Sequence, residues 1–287
     1  QVIITNIFPT HLEKLINTRN IAKEKSDIFN FKYNPNIRLA ILPNNNIDEK
    51  YIVSKAIKKN IPNILTFGKN SNSNLQIFNI QNTNNLNYKI TLSYKNKKIN
   101  FILKYSQFQK IDNFLICILF FIHNKIKVKK ILSMIEDTPL LEGRGLNHKI
   151  VFNNKKITLI DESYNANPQT MKNAINYINN LNIEKNQKKF LVLGEMLELG
   201  DSKLDFHIDL LNYIIQKKLD NVIICGELMK IALEKITNVN IICIMNIEHI
   251  LKHLKKVISK NDIILVKGSN SSLTNRLAKN FLIRGGK

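Results

Sequence analysis

The stretch that decides the fold is ITLIDESYNANPQT, residues 157–170. It opens with strand-like Ile157-Thr158-Leu159-Ile160, then runs through two acids, a Ser-Tyr pair and two asparagines to Pro168. Met171, Ala174, Ile175, Ile178 and Leu181 follow at helical spacing. Proline suits the first turn of a helix, where its missing N–H has no partner to lose. The same alternation continues downstream. Strands are expected at Phe190–Leu193, Val222–Cys225, Ile241–Ile244 and Ile263–Val266, with helices over 203–217, 227–236, 247–258 and 271–282. Short strands with little polar alternation, separated by helices, describe an α/β fold with a doubly wound, mostly parallel, Rossmann-like sheet.

Upstream the elements are mixed. A strand at Val2–Ile4 precedes a helix over Arg19–Phe29, and strands near Leu39–Leu42 and Asn63–Phe67 flank a helix over Asp48–Lys59. Asn87–Tyr94 and Lys98–Tyr105 read as a hairpin, followed by helices over 111–123 and 126–136. The glycines of Glu142-Gly143-Arg144-Gly145 mark a boundary, giving domains 1–142 and 143–287.

The chain carries 43 Lys+Arg against 22 Asp+Glu, a formal +21, with only 9 Gly and no Trp. Such a balance attracts nucleic acid, membrane surfaces or acidic substrates. The lysines are scattered, however, and no aromatics interleave them as a base-stacking strip requires. Abundant Lys, Asn and Ile are also what AT-rich codons supply. No specific nucleic-acid partner is therefore expected, whereas an acidic substrate fits. No signal peptide opens the chain, and the apolar run Phe114–Ile122 falls far short of the ~20 residues that span a bilayer. It reads as a buried helix, and the expected location is cytoplasmic. Cys117, Cys225 and Cys243 lie in apolar runs, at no metal-like or disulfide-like spacing, and read as buried reduced thiols.

Ligands of such sheets bind at the carboxyl ends of the strands. Three strand ends carry polar or glycine-bearing loops: Asp161–Pro168, Gly194–Gly200 and Lys267-Gly268-Ser269. They combine acceptors for hydroxyls, a lysine for phosphate, and glycines that permit close backbone approach. Read singly, Asp161 fits a turn cap, Lys267 a solvated strand end and Gly194 a tight turn. Three on one edge point to a ligand site. Neither GxxxxGK[ST] nor GxGxxG occurs, so the chain has no phosphate-cradling loop of its own.

TLIDESYNANPQTM (158–171), VLGEMLELGDSKLDFH (192–207) and LVKGSNSS (265–272) closely resemble the three C-terminal signature segments of the Mur ligases. EGRGLNH (142–148) resembles their entry into that domain, and ITNIFPTHLEKLINTRNIAKEKSDIF (4–29) their central-domain metal-site segment. The resemblance covers essentially the whole chain in family order, and the asparagine-rich SYNANP form points to the member that adds D-alanyl-D-alanine. It implies a partial central ATPase-type domain without its phosphate loop, followed by the C-terminal ligase domain. It further implies an ATP-dependent amide-bond ligase of peptidoglycan precursor synthesis, working through an acyl phosphate; apart from the resemblance, a monomer is expected. Its cofactors would be ATP and Mg2+, and its substrates UDP-N-acetylmuramoyl-tripeptide and D-alanyl-D-alanine.

The resemblance also implies roles. His11 would be a magnesium ligand, and Lys25 a carbamate presenting anionic oxygens to the same metal; read alone, His11 fits a surface histidine and Lys25 a solvated helix residue. Arg144 would contact ATP phosphate. Asp161, Ser163, Tyr164, Asn165 and Asn167 would line the nucleotide or dipeptide, and Lys267, Gly268 and Ser269 would border substrate carboxylates or phosphate. Glu198 and His207 belong to the second signature without separate roles. The chain departs from the family at Pro43-Asn44-Asn45-Asn46, where acids are usual, and at Gln107-Phe108-Gln109-Lys110, which lacks a histidine. It departs again at Asn270, where an arginine is usual, and at Glu162, where the acid is commonly aspartate. A nucleotide-binding remnant without turnover and a Mur-type ligase of different amine specificity are the alternatives.

Overall fold

The computed structural model describes residues 1–9, 12–83, 87–108, 110–136, 138, 141–237 and 239–285. The chain divides into two compact units, Gln1–Pro139 and Leu140–Lys287.

In the first unit six strands form one sheet in sequence order: β1 (Val2–Ile3), β2 (Leu39–Pro43), β3 (Asn63–Gly68), β4 (Leu75–Asn82), β5 (Asn87–Tyr94) and β6 (Lys97–Lys104). The first four pair in parallel and the last three antiparallel. The helices are α1 (Leu12–Leu15), α2 (Thr18–Ser26), α3 (Ile47–Lys58), α4 (Tyr105–Phe108), α5 (Ile111–His123) and α6 (Val128–Glu136). Leu39, Ile41, Phe67, Leu75, Ile90, Leu92 and Leu103 from the strands pack with Leu115, Ile118 and Leu119 of α5.

Three expectations change here. Strand β4 was not anticipated, because a bulge between Ile77 and Asn79 breaks the alternation by which a strand is read. The helix expected to reach Phe29 ends at Ser26 and tightens into a 3-10 turn over Asp27–Phe29. The run Phe114–Ile122 is a helix that buries Phe114, Leu115, Ile116, Ile118 and Leu119. Cys117 lies on its outer face and is exposed, so the expectation of three buried thiols holds for Cys225 alone, with Cys243 intermediate.

The second unit contains β7 (Leu146–Phe152), β8 (Lys155–Glu162), β9 (Lys189–Leu193), β10 (Val222–Ile224), β11 (Ile241–Cys243) and β12 (Ile263–Lys267). Helices α7 (Pro168–Asn180), α8 (Lys203–Gln216), α9 (Glu227–Glu234), α10 (Ile247–Val257) and α11 (Leu273–Gly285) alternate with them. The strand order is β11-β10-β9-β12-β8-β7, parallel except at β7. This is the doubly wound sheet read from the sequence. The edge strand β7 was not anticipated: it returns through Asn153-Asn154, both at positive φ (51° and 60°), the conformation a tight hairpin demands. On one face Leu159, Phe190, Val192, Ile223, Ile264 and Val266 meet Ile250, Leu251 and Leu254 of α10 and Leu277, Ala278 and Phe281 of α11. Ile160, Leu191, Leu193 and Leu265 remain for the opposite face, and all are buried.

Among the described residues no helix is long and apolar enough to cross a membrane.

A glycine fixes the joint between β9 and α9. Glu195 reaches from the β9 loop to accept the backbone N–H of Leu228 at 2.9 Å, in the first turn of α9. Gly226 sits beneath it at φ 108°, where an added Cβ would lie 2.3 Å from Glu195 Cγ. Gly226→Ala is expected to lower unfolding free energy by roughly 1–3 kcal/mol, and urea unfolding of the variant against the parent measures it.

Candidate functional site

The site in the second unit follows from one register. Lys267 of β12 pairs with Glu162 of β8 on one side and with Leu193 of β9 on the other. The three strands therefore end at one level, and their loops leave the sheet side by side.

The first loop is held from within. Asp161 Oδ1 accepts the backbone N–H of Ser163 at 3.1 Å and its hydroxyl at 2.7 Å, while Oδ2 accepts Gly143 N–H at 3.2 Å. Asn275 of α11 donates to the Ser163 carbonyl at 3.3 Å. Asn167 caps α7: its side chain accepts from Thr170 N at 2.9 Å, and Thr170 Oγ1 accepts from Asn167 N at 3.1 Å. Asp161, Ser163 and Asn167 are buried, whereas Tyr164 and Asn165 face solvent. Arg144, also exposed, lays its guanidinium over the Tyr164 ring at 4.3 Å.

Lys267 is not a solvated strand end. Its side chain is 4% exposed, and Nζ lies 3.0 Å from Glu162 Oε2 and 3.0 Å from the Asn165 carbonyl. Glu162 is the residue that reading the sequence passed over as a mild exchange. The sequence shows an acid at one strand end and a lysine at another, and only the register brings the two together. Asn275 carried no signal.

Ser269 joins the third loop to the second. Its N–H donates to the Glu195 carbonyl at 3.0 Å and its Oγ accepts Leu197 N–H at 3.0 Å. Gly268 is needed for space, since a Cβ there would stand 2.2 Å from Thr274 Oγ1. His207, fully buried, anchors the second loop: Nε2 accepts Met196 N–H at 3.0 Å, and Nδ1 lies 2.6 Å from the Lys203 carbonyl. Those partners require a neutral ring protonated on Nδ1.

In the first unit the described candidate is Lys25, half-buried on α2, whose Nζ donates to the Asn6 carbonyl at 2.9 Å. Burial pushes its pKa down, against the pull of Glu49. Glu49, 1% exposed, accepts Asn45 N–H at 2.6 Å. Asp112 of α5 is pushed up to about 6 by burial and then by the charge of Glu49, with Lys69 opposing. His11 and Gln109 lie outside the described residues. The asparagines standing where acids were expected hold backbone: Asn46 caps α3, and Asn45 accepts Lys69 N–H at 2.8 Å. Among the described residues no three His, Cys, Asp or Glu side chains gather as a metal cage. A cleft of about 600 Å³, lined by Ser71, Ser73, Asn74, Ser93, Lys95 and His123 among others, contains none of the candidate site residues named from the sequence.

The profile of the Mur ligase middle domain matches residues 1–121, and that of the Mur ligase glutamate ligase domain matches residues 149–270. The chain belongs to the Mur ligase family. Two curated relatives carry the name UDP-N-acetylmuramoyl-tripeptide–D-alanyl-D-alanine ligase. The protein of Rickettsia prowazekii is 28% identical over 272 residues, covering 93% of this chain and 57% of its own length. That of Buchnera aphidicola from Acyrthosiphon pisum is 30% identical over 292 residues, covering 98% and 59%. This Mur ligase chain thus spans somewhat over half the length of those relatives. Solved structures share the fold: MurF from Acinetobacter baumannii (TM-score 0.79, 20% identity, 98% of this chain and 59% of that one) and MurF from Thermotoga maritima in complex with ADP (0.71, 20%, 99% and 63%).

The buried state of His207 has a pH consequence. Desolvation lowers its pKa from 6.5, against the Lys203 carbonyl and the charge of Glu195. The folded state binds the proton less readily than the unfolded state. The contribution of the neutral ring is thus complete above about pH 6.5 and is lost as pH falls from there through the folded-state pKa. Between about pH 7.5 and about pH 5 the parent is expected to lose more unfolding free energy than His207→Phe. Parallel curves in paired urea titrations would refute this.

Proposed function

We propose that this chain is the central-domain remainder and C-terminal domain of the ligase that adds D-alanyl-D-alanine to UDP-N-acetylmuramoyl-tripeptide. The observation that carries the reading is the β8–β12–β9 register, which sets three signature loops side by side. The relatives bearing that enzyme's name match 93% and 98% of the chain. The nucleotide-linked substrate fits a cytoplasmic enzyme.

ATP transfers its γ-phosphoryl group to the terminal carboxylate of the tripeptide, leaving ADP and an acyl phosphate. The amine of D-alanyl-D-alanine attacks the acyl carbon and gives up a proton, and inorganic phosphate leaves. Crowded anionic oxygens need fixed cations. Arg144 suits a phosphate because a guanidinium engages two oxygens at once. Its seat on Tyr164 limits the directions in which it points, and Tyr164 and Asn165 offer exposed groups on the same loop.

The donors around Lys25 fit a hard cation. Glu49 acts on both Lys25 and Asp112, and burial first, then the charge of Glu49, raises the Asp112 carboxyl. A lysine whose pKa is lowered is neutral more often, and the neutral amine is the form that adds carbon dioxide to become a carbamate. Lys25 as carbamate, together with His11, would hold Mg2+, with Glu49 close by. Bound there, Mg2+ would neutralise phosphate charge and polarise the transferred group.

The direct test is phosphate release by the full-length protein given ATP, UDP-N-acetylmuramoyl-tripeptide and D-alanyl-D-alanine. Release that depends on D-alanyl-D-alanine is expected. Release with another amine instead would move the chain to a different Mur-type specificity, and its absence with every amine would leave a nucleotide-binding remnant. Lys25→Ala should reduce turnover by at least about 100-fold, with partial recovery on adding a short carboxylic acid such as acetate. Wild-type turnover in that variant would remove the carbamate.

A further inference from the structure

Lys267 and Glu162 are Cα partners on adjacent parallel strands, so their side chains rise from the same face at the same level. Their side chains are 4% and 5% exposed, and they meet at 3.0 Å. Burying two charges costs more than most ion pairs return, and well-packed apolar residues at such a place are often as stable or more so. The fold therefore gives no reason for the pair. The hydrogen bonding supplies one. An ammonium has three donors. Two are directed, one to Glu162 Oε2 and one to the carbonyl of Asn165, and no third partner occurs among the described residues. Glu162 Oε1 is likewise buried, with no hydrogen-bond partner among the described residues. A group held at two corners has its remaining direction set, and that direction belongs to a lysine at the mouth of three strand ends.

Resting on the ligase reading above, we propose that Glu162 is a positioning residue. Together with the Asn165 carbonyl it fixes two donors of Lys267 and directs the remaining one at an anionic oxygen of a substrate, carboxylate or phosphoryl. The extra methylene of glutamate over aspartate gives the carboxylate the reach to span neighbouring strands. Because Lys267 also grips the backbone of Asn165, the pair sets the height of the Tyr164-Asn165 loop above the sheet.

Glu162→Gln keeps the size and removes the charge, whereas Glu162→Asp keeps the charge and shortens the reach. In phosphate-release assays of the full-length protein, varying each substrate in turn, Glu162→Gln is expected to raise the KM of one substrate by about tenfold or more. The other two should change by less than about twofold, and Glu162→Asp should recover most of the loss. Which KM rises identifies the anion that Lys267 meets. Unchanged KM values would overturn the proposal. So would an equal loss for all three substrates with a lowered melting temperature, the outcome of a merely structural pair. An inactive wild type would instead overturn the ligase reading. Calorimetry with the same three compounds then decides the positioning role: a Kd for one of them about tenfold weaker in Glu162→Gln supports it. Equal Kd values, or no binding by the wild type, overturn it.

Discussion

Everything in the second unit depends on β12 lying between β8 and β9. The chain makes these strands in the order β8, β9, β12, yet the last inserts between the first two, so its end touches both earlier signatures. Lys267 ties it to Glu162 and Asn165, while the Ser269 N–H and hydroxyl tie it to Glu195 and Leu197. Parallel pairing makes this possible, because strands running the same way present all their carboxyl ends on one edge. Had β12 paired at the sheet's rim, the same three sequences would have ended far apart.

The second constraint is how a chain with 9 glycines makes its turns. Asparagine takes over. Asn17, Asn46, Asn167 and Asn246 cap α2, α3, α7 and α10 through their side chains. Asn60, Asn96, Asn153, Asn154, Asn221 and Asn261 occupy left-handed backbone, which asparagine tolerates better than other residues with a Cβ. Glycine is kept where a Cβ has no room, as at Gly226 and Gly268. The abundance of asparagine, read from the sequence as a compositional habit, thus carries structural work that glycine and aspartate share elsewhere.

How much was legible follows from the same physics. Strand β10 is wholly apolar, β9 and β12 are apolar but for one terminal lysine each, and all three were visible, as was α7, with proline at its start and a clean helical stripe. Strands β4 and β7 were not: one is broken by a bulge, and the other is an edge strand with few buried residues. The alignment of the three loops was inferable from fold class, since a parallel sheet puts such loops on one edge. The engagement of each side chain was not, because it depends on register. Lys267 looked like a solvated end until its neighbour across the ladder was known to be Glu162.

Burial divides the first signature into side chains turned inward and side chains turned outward. Asp161, Ser163 and Asn167 use their side chains on nearby backbone, that of Gly143 and Thr170 included, or on one another, and burial removes them from solvent. Such groups are committed: drawing one away to a ligand would leave a buried donor or acceptor unpaired, at about 1–3 kcal/mol each. The exposed side chains of Tyr164, Asn165 and Arg144 carry no such commitment to backbone, and Lys267 keeps one donor. A loop with many polar residues therefore presents only a few of them outward. The rest explain why those few stand still, and a preorganised cation or hydroxyl acts on developing charge without first having to be ordered.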